Sequence, residues 1–363
     1  MKILFLTDTF IPQINGVSIS IKSFSEELEN QGHDVTIIGP KTKDSPKSTD
    51  KVWRFKSIKF PFQPEYRMTS PLSKKLKNFE ANHFDIIHIQ TPFFMGHLGQ
   101  FLGWKYDIPL IHTYHTFWAD YLHYFPLLPK KLRKKVDLLL LSKNFCNRCN
   151  HIIAPSEPIK KTLIDYGVKK PIDILPSGIN TTIEIKSKDT LAFKERWNIP
   201  LEKQVLVFVG RLGKEKNIYF LIDTFHSIIS KHSNTHLLII GDGPERDSLT
   251  TYIQSKNLMN HVTLTGYLNQ KEVFEGISGA SIITFPSTTE TQGLSLIEGM
   301  HLGKPAVCIN KLGVKEILKD NIGGFLTDGT HNHFVNAAIE LLTDPKLYEK
   351  KSVCVTGSGG SIG

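Results

Sequence analysis

Short apolar runs alternate with amphipathic stretches along most of this 363-residue chain, and no other feature constrains the fold as much. In the first half, KILFLTD, DVTIIGP and FDIIHIQTP each adjoin a stretch with helical periodicity. The pattern weakens into polar text around 180–202 and resumes at QVLVFVGRL, residues 204–212. Steady alternation of strand and helix predicts parallel sheets with helices on both faces. We therefore expect an α/β chain with two doubly wound domains, 1–180 and 181–348.

The distribution of charge and the composition limit the kinds of partner and the cellular compartment expected for this chain. Residues 1–170 carry 25 Lys and Arg against 15 Asp and Glu, so this half holds the whole excess behind the net charge of +9. An anionic partner for the first half is one explanation, and ordinary solubility charge is the other. The four cysteines show no spacing typical of a disulfide framework, and the start shows no secretory signal pattern. No apolar run approaches the roughly 20 residues of a membrane span. These features predict a cytoplasmic protein.

Two cations follow the first strand of the second half. In GRLGKEKN, residues 210–217, Arg211 and Lys216 lie at the carboxyl end of a predicted strand, just before a helix. Two cations beside a helix N-terminus suit a diphosphate. Surface loops also carry Arg and Lys for solubility alone, so the motif by itself leaves both interpretations open.

A second motif, ETQGLSLIEGMHLGKP, contains two carboxylates, Glu290 and Glu298, with seven residues between them. Gly293 opens a predicted helix, whose first N–H groups could meet a phosphate. Glu298 lies inside that helix among apolar residues, where an acid usually has a partner. A carboxylate can accept hydrogen bonds from both hydroxyls of a diol. The alternative is an acidic helix start that the macrodipole favours.

Together these segments resemble the retaining glycosyltransferases of family 4. PSTTETQGLSLIEGMHLGKPAV resembles their Glu-x7-Glu signature, GRLGKEKN their diphosphate loop, and IIGDGPERDSL and LTGYL two further landmarks. The resemblance implies the GT-B fold, in which two Rossmann-like domains face each other across a cleft. It also implies a nucleotide-sugar donor, retention at the anomeric carbon, and no metal or cofactor. No two aspartates stand two residues apart, so the chain has no DxD metal motif.

The resemblance assigns roles to residues of the second half. Arg211 and Lys216 would bind the diphosphate and stabilise the leaving group, Glu290 would hold the donor sugar, and Glu298 the ribose. The remaining donor contacts implied for this half are Gly241, Tyr267 near the nucleobase, and the backbone N–H groups of Gly293 and Leu294.

In the first half the resemblance implies two donor contacts. Gly16 of PQINGV would let the backbone approach the phosphates without a Cβ in the way. His115 of HTYHT would lie beside the anomeric carbon. Taken alone, His112, His115 and His123 also suggest a metal site, but no acidic or cysteine ligand joins them. FCNRC is a lone CxxC on a predicted helix, for which packing is the favoured role.

The acceptor should be chosen by segment 112–149. Six aromatic residues between Tyr114 and Phe125 precede a basic cluster and then LLLL, a composition that suits the plane of an anionic membrane. An ordinary amphipathic helix with a solvated face is the alternative. The cluster predicted to contact the membrane comprises Lys130, Lys131, Arg133, Lys134 and Lys135.

This segment, with IIAPSEPIKKTLIDYG, resembles bacterial diacylglycerol glucosyltransferases. The resemblance implies transfer of glucose from UDP-glucose to diacylglycerol by a peripheral protein at the inner membrane face, with no nucleic-acid partner. Asn180 departs from the aspartate common in that group. An acceptor sugar linked to a polyprenyl carrier, as in polysaccharide assembly, is the alternative.

The last residues, KSVCVTGSGGSIG, predict a strand followed by a glycine turn, because Val353–Val355 favour a strand. They resemble the first strand of a nucleotide-sugar dehydratase, and a fusion, frameshift or truncation is the simplest expectation. Residues 349–363 would then replace the helices that usually cross back to the first domain. An oxidoreductase or dehydratase that uses this fingerprint is a further alternative, although it would lack the helix that receives the pyrophosphate. A non-catalytic nucleotide-binding or membrane-scaffold protein is the last, and the motif residues Arg211, Lys216, Glu290, Glu298 and His115 argue against it.

Overall fold

The structure is a computed structural model that describes residues 1–60, 63–76, 79, 84–116, 142–179 and 183–357. The chain divides between Gly178 and Ile179 into two compact units, here called the N-terminal and C-terminal units. The sequence places the boundary two residues later, after residue 180. Each unit is built on a parallel sheet, as the alternating pattern predicts.

The N-terminal unit contains a seven-stranded parallel sheet with the order β3-β2-β1-β6-β7-β8-β9. A two-stranded antiparallel hairpin, β4-β5, lies beside it. The strands are β1 (Lys2–Leu6), β2 (Asp34–Pro40), β3 (Val52–Phe55), β4 (Ser57–Phe60), β5 (Gln63–Thr69), β6 (Ile86–Ile89), β7 (Leu110–Thr113), β8 (His151–Ala154) and β9 (Ile172–Ile174). The helices are α1 (Gly16–Asn30), α2 (Phe94–Tyr106), α3 (Asn144–Asn147) and α4 (Glu157–Asp165).

The C-terminal unit contains a six-stranded parallel sheet with the order β12-β11-β10-β13-β14-β15. Its strands are β10 (Gln204–Val209), β11 (Thr235–Ile240), β12 (Val262–Leu264), β13 (Ile282–Phe285), β14 (Ala306–Ile309) and β15 (Gly324–Thr327). Its helices are α5 (Ser187–Arg196), α6 (Ile218–Lys231), α7 (Arg246–Ser255), α8 (Gln270–Ser278), α9 (Leu294–His301), α10 (Val314–Ile317), α11 (His331–Thr343) and α12 (Pro345–Gly357).

Both sheets reverse their strand order beside their first strand. In the N-terminal unit the chain builds outward from β1 to β3, then returns to add β6 on the other side of β1. In the C-terminal unit the same reversal occurs between β10 and β13. Loops leave a parallel sheet in opposite directions at such a point, which opens a crevice at the carboxyl ends of the strands.

A row of glycines brings α2 close to the sheet of the N-terminal unit. A Cβ at Gly96 would lie 2.3 Å from the carbonyl oxygen of Thr91, and one at Gly99 would lie 2.8 Å from Ile89. One at Gly103 would lie 2.4 Å from the side chain of Leu110. Glycines at these spacings share one helix face, so the backbone of α2 itself forms the contact surface.

Several elements went unrecognised in the sequence because their signals are short. Strands β3, β4 and β5 lie in a polar segment that gives no clear alternation. Helix α5 lies in the polar stretch around 180–202, where the alternation of apolar runs and amphipathic stretches weakens. It is held in place by the buried Phe193, which packs against α8 at Gly276. The apolar text DILPSGI, residues 173–179, predicts a strand, but β9 ends at Ile174.

The prediction of a strand near the C-terminus is wrong. Residues 345–357 form α12, which begins at Pro345, a favoured first residue of a helix. The Asp344 carboxylate accepts hydrogen bonds from the N–H groups of Lys346 and Leu347, both 3.0 Å. Tyr348 then donates its hydroxyl to the Ser281 carbonyl at 2.9 Å. Capping and side-chain anchoring thus outweigh the strand propensity of Val353–Val355. The glycine turn lies outside the described residues.

Within the described ranges, none of the helices has both the length and the apolar character needed to cross a membrane.

We predict that Gly96→Ala destabilises the protein by about 2 kcal/mol, although alanine is usually the better helix former. The added methyl would overlap the Thr91 carbonyl and the Phe145 ring. Urea unfolding checks this, with Gly178→Ala as the control because a Cβ there meets no atom within 4 Å. Equal stability of the two variants would contradict this packing.

Candidate active site at the strand carboxyl ends

Two residues of the loop that follows β10 form an ion pair. The Arg211 guanidinium lies 2.7 Å from the Glu215 carboxylate, and the Glu215 side chain is only 1% exposed. A Cβ at Gly213 would lie 2.3 Å from that carboxylate and 2.5 Å from the guanidinium. Gly213 therefore makes room for the pair, and the pair holds Arg211 at the sheet edge.

A second pair spans the point where the strand order reverses. Lys216 follows β10, Glu290 follows β13, and their side chains form a partly buried salt bridge and hydrogen bond. The two residues are 74 positions apart in sequence but meet because β10 and β13 are neighbours. The structure thus brings together Lys216 and Glu290, two residues that the sequence motifs assign to one site.

Glycines press the neighbouring loops against each other. Gly241 has φ of +138°, and a Cβ there would lie 2.0 Å from the Gly210 carbonyl oxygen. Its N–H donates to Gly266 at 3.0 Å, while Leu212 N–H donates to Asp242 at 2.9 Å. This close backbone approach explains the glycine at 241 by packing alone, and its predicted donor contact stays a prediction.

Gly293, predicted to open a helix, precedes α9 directly and has φ of +89°. Leu294 is the first residue of that helix, and Ser295 donates to the carbonyl of Val209 at 2.9 Å. A Cβ at Gly299 would lie 2.2 Å from Ile283, so α9 lies tightly on β13. The N-terminus of α9 is thereby fixed at the carboxyl edge of the sheet.

Glu298 is buried in α9. Burial raises the pKa of this carboxyl to about 7, and a side-chain hydrogen bond with Gln270 lowers it. The partner that the apolar surroundings predict for this acid is therefore a neutral amide. Tyr267, which follows Gly266 at the same edge, is half exposed.

In the N-terminal unit, His115 lies just beyond β7 and contacts Gln90 just beyond β6. The His115 Nε2 to Gln90 Oε1 distance is 2.6 Å. Burial lowers the pKa of His115 to about 3, and the neighbouring His112 lowers it further. An imidazole with so low a pKa is uncharged at physiological pH, so it can form hydrogen bonds but not ion pairs.

Two further histidines lie under His115. His112 Nδ1 is 2.9 Å from the Ile89 carbonyl, and His88 Nε2 is 2.7 Å from Thr113 Oγ1. Burial lowers their pKa values to about 4 and about 3, respectively. Across the described ranges, no cluster of three or more His, Cys, Asp or Glu side chains could hold a metal ion.

Asp8, at the end of β1, is a buried carboxyl to which the sequence assigned no role. Its Oδ2 accepts from the Thr91 hydroxyl at 2.8 Å and from the Met95 N–H at 3.1 Å. Burial raises the pKa of Asp8 to about 7, and these hydrogen bonds lower it. Asp8 therefore ties the end of β1 to the loop that carries Gln90.

Gly16 is the first residue of α1, where it is exposed. Asn15 precedes it as the N-cap and accepts from the Ser18 N–H at 2.9 Å.

Cys146 and Cys149 of FCNRC are buried free cysteines, which agrees with the packing interpretation. Tyr114 is also buried, with its hydroxyl 2.8 Å from that of Ser142. This aromatic ring therefore belongs to the core, so its assignment to a membrane surface is wrong.

The other aromatic residues of 114–125 and the basic cluster 130–135 lie outside the described residues, as do His123 and Asn180. Another cationic surface is described, however. A groove of about 620 Å³ lies between the loop after β2, the β4-β5 hairpin and the start of α2. This basic groove is lined by Lys41, Lys43, Lys56 and Arg67, together with Ile58 and Phe94.

An aromatic face of α2 continues from the basic groove. It consists of Phe94, Phe101 and Trp104, all exposed, with Trp104 80% accessible. The opposite face of α2 carries the glycines that contact the sheet. No sequence motif marks either surface, because their residues are distant in sequence or lie inside an apolar helix.

The sequence motifs also assign no role to three residues of these loops, Glu215, Asp8 and Gln90. Glu215 stands inside GRLGKEKN, and its spacing of four from Arg211 was a usable signal. Asp8 and Gln90 each follow an apolar strand directly, which places them at the carboxyl edge of the sheet. Nothing in the sequence shows that they serve the same loop.

Comparison with known proteins identifies the family. The family model "Glycosyltransferase Family 4" matches residues 14–183, and "Glycosyl transferases group 1" matches residues 189–352. The chain is 31% identical over 356 residues to an α-monoglucosyldiacylglycerol synthase of Streptococcus pneumoniae, covering 96% of this chain and 80% of the relative. The chain belongs to the family 4 glycosyltransferases.

A second relative and a solved structure agree with this membership. The α-monoglucosyldiacylglycerol synthase of Acholeplasma laidlawii is 29% identical, covering 94% of this chain and 86% of the relative. Anabaena HepE, solved in complex with UDP and glucose, superimposes with a TM-score of 0.77 at 18% identity, covering 98% of this chain and 94% of HepE. The predicted GT-B fold and glycosyltransferase activity are thus confirmed.

For this glycosyltransferase we predict that the free energy of unfolding of Asp8→Asn increases relative to that of the parent as pH rises. The raised pKa means that the folded protein holds a proton on Asp8 that the unfolded chain releases above about pH 4. That stabilisation is present at low pH and is lost as pH rises towards 7. Between pH 5 and pH 8 the variant should gain on the order of 2 kcal/mol over the parent.

Urea unfolding of both proteins at the two pH values measures this difference. Asp165→Asn, at an exposed carboxylate of α4, is the control and should show no such trend. A pH-independent difference for Asp8→Asn would mean that the Asp8 carboxyl is ionised throughout.

Proposed function

We propose that this glycosyltransferase moves glucose from UDP-glucose to diacylglycerol at an anionic membrane surface, with retention of configuration. The observation that carries the proposal is the similarity to two α-monoglucosyldiacylglycerol synthases over 94–96% of the chain. Similarity of that extent includes the N-terminal unit, to which the acceptor is assigned, as well as the donor motifs.

The donor would be held by the paired residues at the carboxyl edge of the C-terminal unit. Arg211 and Lys216 supply two cations for the diphosphate, and Glu215 and Glu290 hold these cations in position before the donor arrives. When Lys216 turns to a phosphate oxygen, Glu290 is released to accept hydroxyls of the sugar. The backbone N–H groups at the start of α9 add further donors near the phosphate.

Glu298 would hold the ribose. Both ribose hydroxyls can donate to one carboxylate only when it is ionised, which the raised pKa opposes in the empty site. Two hydroxyl donors favour the charged form and would lower that pKa when the nucleotide binds. No metal or cofactor is part of this proposal.

The membrane would be contacted through the basic groove and the aromatic face. Within the described part of the chain, none of the four cations of the groove forms an ion pair, and no carboxylate lines it. Cations without carboxylate partners suit lipid phosphates, and exposed Phe and Trp suit the membrane interface. Phe94 lies in both surfaces, so the two form one continuous patch.

The donor site is tested by Lys216→Ala and Glu290→Gln, each of which should lower glucosyl transfer at least about 100-fold, because each removes a charge from the reacting centre. Transfer is measured by mass spectrometry of the glycolipid formed from UDP-glucose and diacylglycerol in vesicles. Lys256→Ala is the matched control, since its pair with Asp223 at 2.8 Å lies on the surface of the same unit.

Near-normal rates for either variant would refute the assigned donor site. The same assay with GDP-mannose in place of UDP-glucose tests the donor, and a polyprenyl-linked sugar in place of diacylglycerol tests the acceptor. Equal transfer to soluble acceptors without lipid would refute the membrane proposal.

The patch is tested with the triple variant Lys41→Glu, Lys43→Glu, Lys56→Glu. We expect its affinity for phosphatidylglycerol vesicles to fall at least about tenfold, because each cation near such a surface contributes about 1 kcal/mol. The control triple Lys22→Glu, Lys161→Glu, Lys169→Glu has the same net charge but lies elsewhere in the N-terminal unit. Equal losses in both triples, measured by vesicle sedimentation, would show that overall charge and not the groove sets binding.

Phe101→Ala with Trp104→Ala separates the apolar contribution. This variant should bind less tightly while keeping the salt dependence of the parent, since it loses no charge. The lysine triple should flatten that dependence.

A further inference from the structure

Arg67 is held in one orientation within the basic groove. Its Nε donates to the Ser57 hydroxyl at 2.7 Å, and its Nη2 donates to the Ser57 carbonyl at 2.9 Å. The Ser57 hydroxyl in turn donates to the Lys41 carbonyl at 2.6 Å. These contacts join β5, the start of β4 and the loop after β2, so the guanidinium is positioned before any ligand binds.

The contacts with Ser57 leave one edge of the Arg67 guanidinium available. Ser57 occupies the edge formed by Nε and Nη2, whereas Nη1 has no partner among the described residues. Nη1 and the second N–H of Nη2 form a further edge, which matches two oxygens of a phosphate. A lysine ammonium on its flexible stem does not offer this planar fork.

A hydroxyl without a partner lies in the wall of the same groove. Thr42 lines the groove, and its Oγ1 is buried with no hydrogen-bond partner in the described part of the chain. The Ser45 hydroxyl fixes the backbone of Thr42, since it accepts from the Thr42 N–H at 3.0 Å and donates to the Thr42 carbonyl at 2.9 Å. Buried hydroxyls are normally hydrogen-bonded. A phosphate oxygen in the groove would supply the acceptor that Thr42 lacks.

Apolar side chains beside these donors indicate a lipid and not a free anion. Ile58 and Phe94 line the groove and are exposed, and Leu72, which follows the lining residue Pro71, is 84% exposed. Exposed apolar side chains next to cations suit the level of a membrane at which headgroups meet acyl chains. The groove volume of about 620 Å³ is in the range of small-molecule sites, so it can enclose one headgroup.

We propose that the basic groove is a discrete site for one glycerophospholipid with an anionic headgroup, whose phosphate is bound by Arg67 and Thr42. This proposal rests on the membrane contact proposed above and makes it specific. Attraction to an anionic surface needs only positive charge, which the lysines of the groove supply. The discrete site also needs the fixed fork of Arg67 and the hydroxyl of Thr42.

Binding of monomeric dihexanoyl phosphatidylglycerol tests the proposal without a bilayer, UDP-glucose or diacylglycerol. We expect an NMR titration below the critical micelle concentration to show saturable binding of one lipid per chain. Arg67→Lys should weaken this binding at least about fivefold although the charge is kept, because the fork is lost. Ser57→Ala should weaken it at least about threefold, because it frees the guanidinium without changing any charge.

Thr42→Val separates ligand binding from folding. It should weaken lipid binding at least about threefold, because it removes a donor to the phosphate. It should not lower the free energy of unfolding in urea, since the hydroxyl it removes is buried without a partner among the described residues. Arg148→Lys is the matched control for Arg67→Lys and should leave lipid binding unchanged, because Arg148 is an exposed arginine of the same unit that does not line the groove.

Unchanged lipid binding in folded Arg67→Lys and Ser57→Ala would show that positive charge is sufficient and would overturn the proposal. Equal affinity for inorganic phosphate would identify a free-anion site and overturn the assignment to a lipid. If one lipid binds and the variants behave as expected but no glucose reaches diacylglycerol, only the proposed function fails. Normal transfer to diacylglycerol without binding of the monomeric lipid would refute the discrete site alone.

Discussion

The reversal of strand order beside β1 and beside β10 is the constraint on which the candidate site depends. At each reversal, loops from two neighbouring strands diverge, and the residues immediately after those strands face one another. Asp8 and Thr91 meet in this way after β1 and β6, and Lys216 and Glu290 meet after β10 and β13. Residues more than 70 positions apart in sequence become partners because parallel pairing places both strand ends at one edge.

The two units handle buried polar groups differently. In the C-terminal unit, two cations are compensated by carboxylates, so each remains charged in a partly desolvated place. In the N-terminal unit, burial keeps three histidines neutral and favours the protonated form of Asp8. The buried polar groups of the N-terminal unit therefore interact through hydrogen bonds of defined direction, while those of the C-terminal unit interact through their charges.

The sequence predicted the sheets well because parallel strands buried on both faces read as unbroken apolar runs, as in QVLVFVGRL and HLLIIGDGP. The family resemblance also assigned Arg211, Lys216, Glu290 and Gly293 to one site, and the structure brings Lys216 and Glu290 of this set into contact. Sequence prediction failed where the determining contact is distant: Phe193 anchors α5 against α8, and Val353–Val355 continue a helix that Asp344 initiates. The histidine motif HTYHT reads as one unit, yet Tyr114 faces the core while His115 meets Gln90 of another strand.

In the proposed donor site, the ion pairs of the C-terminal unit would limit the free energy that is gained when the donor binds. A lone Lys216 in this partly buried position would be costly, and Glu290 removes that cost before any ligand is present. If the diphosphate takes over Lys216, the gain is the difference between two partners, which keeps ground-state binding moderate. In that proposal the carboxylate released at the same moment would become available for the sugar, so a single contact would link phosphate binding to sugar orientation. Glu215 lacks this freedom, because its side chain is only 1% exposed and the pair with Arg211 packs against Gly213. In the proposed site Arg211 would therefore be the fixed cation and Lys216 the exchangeable one.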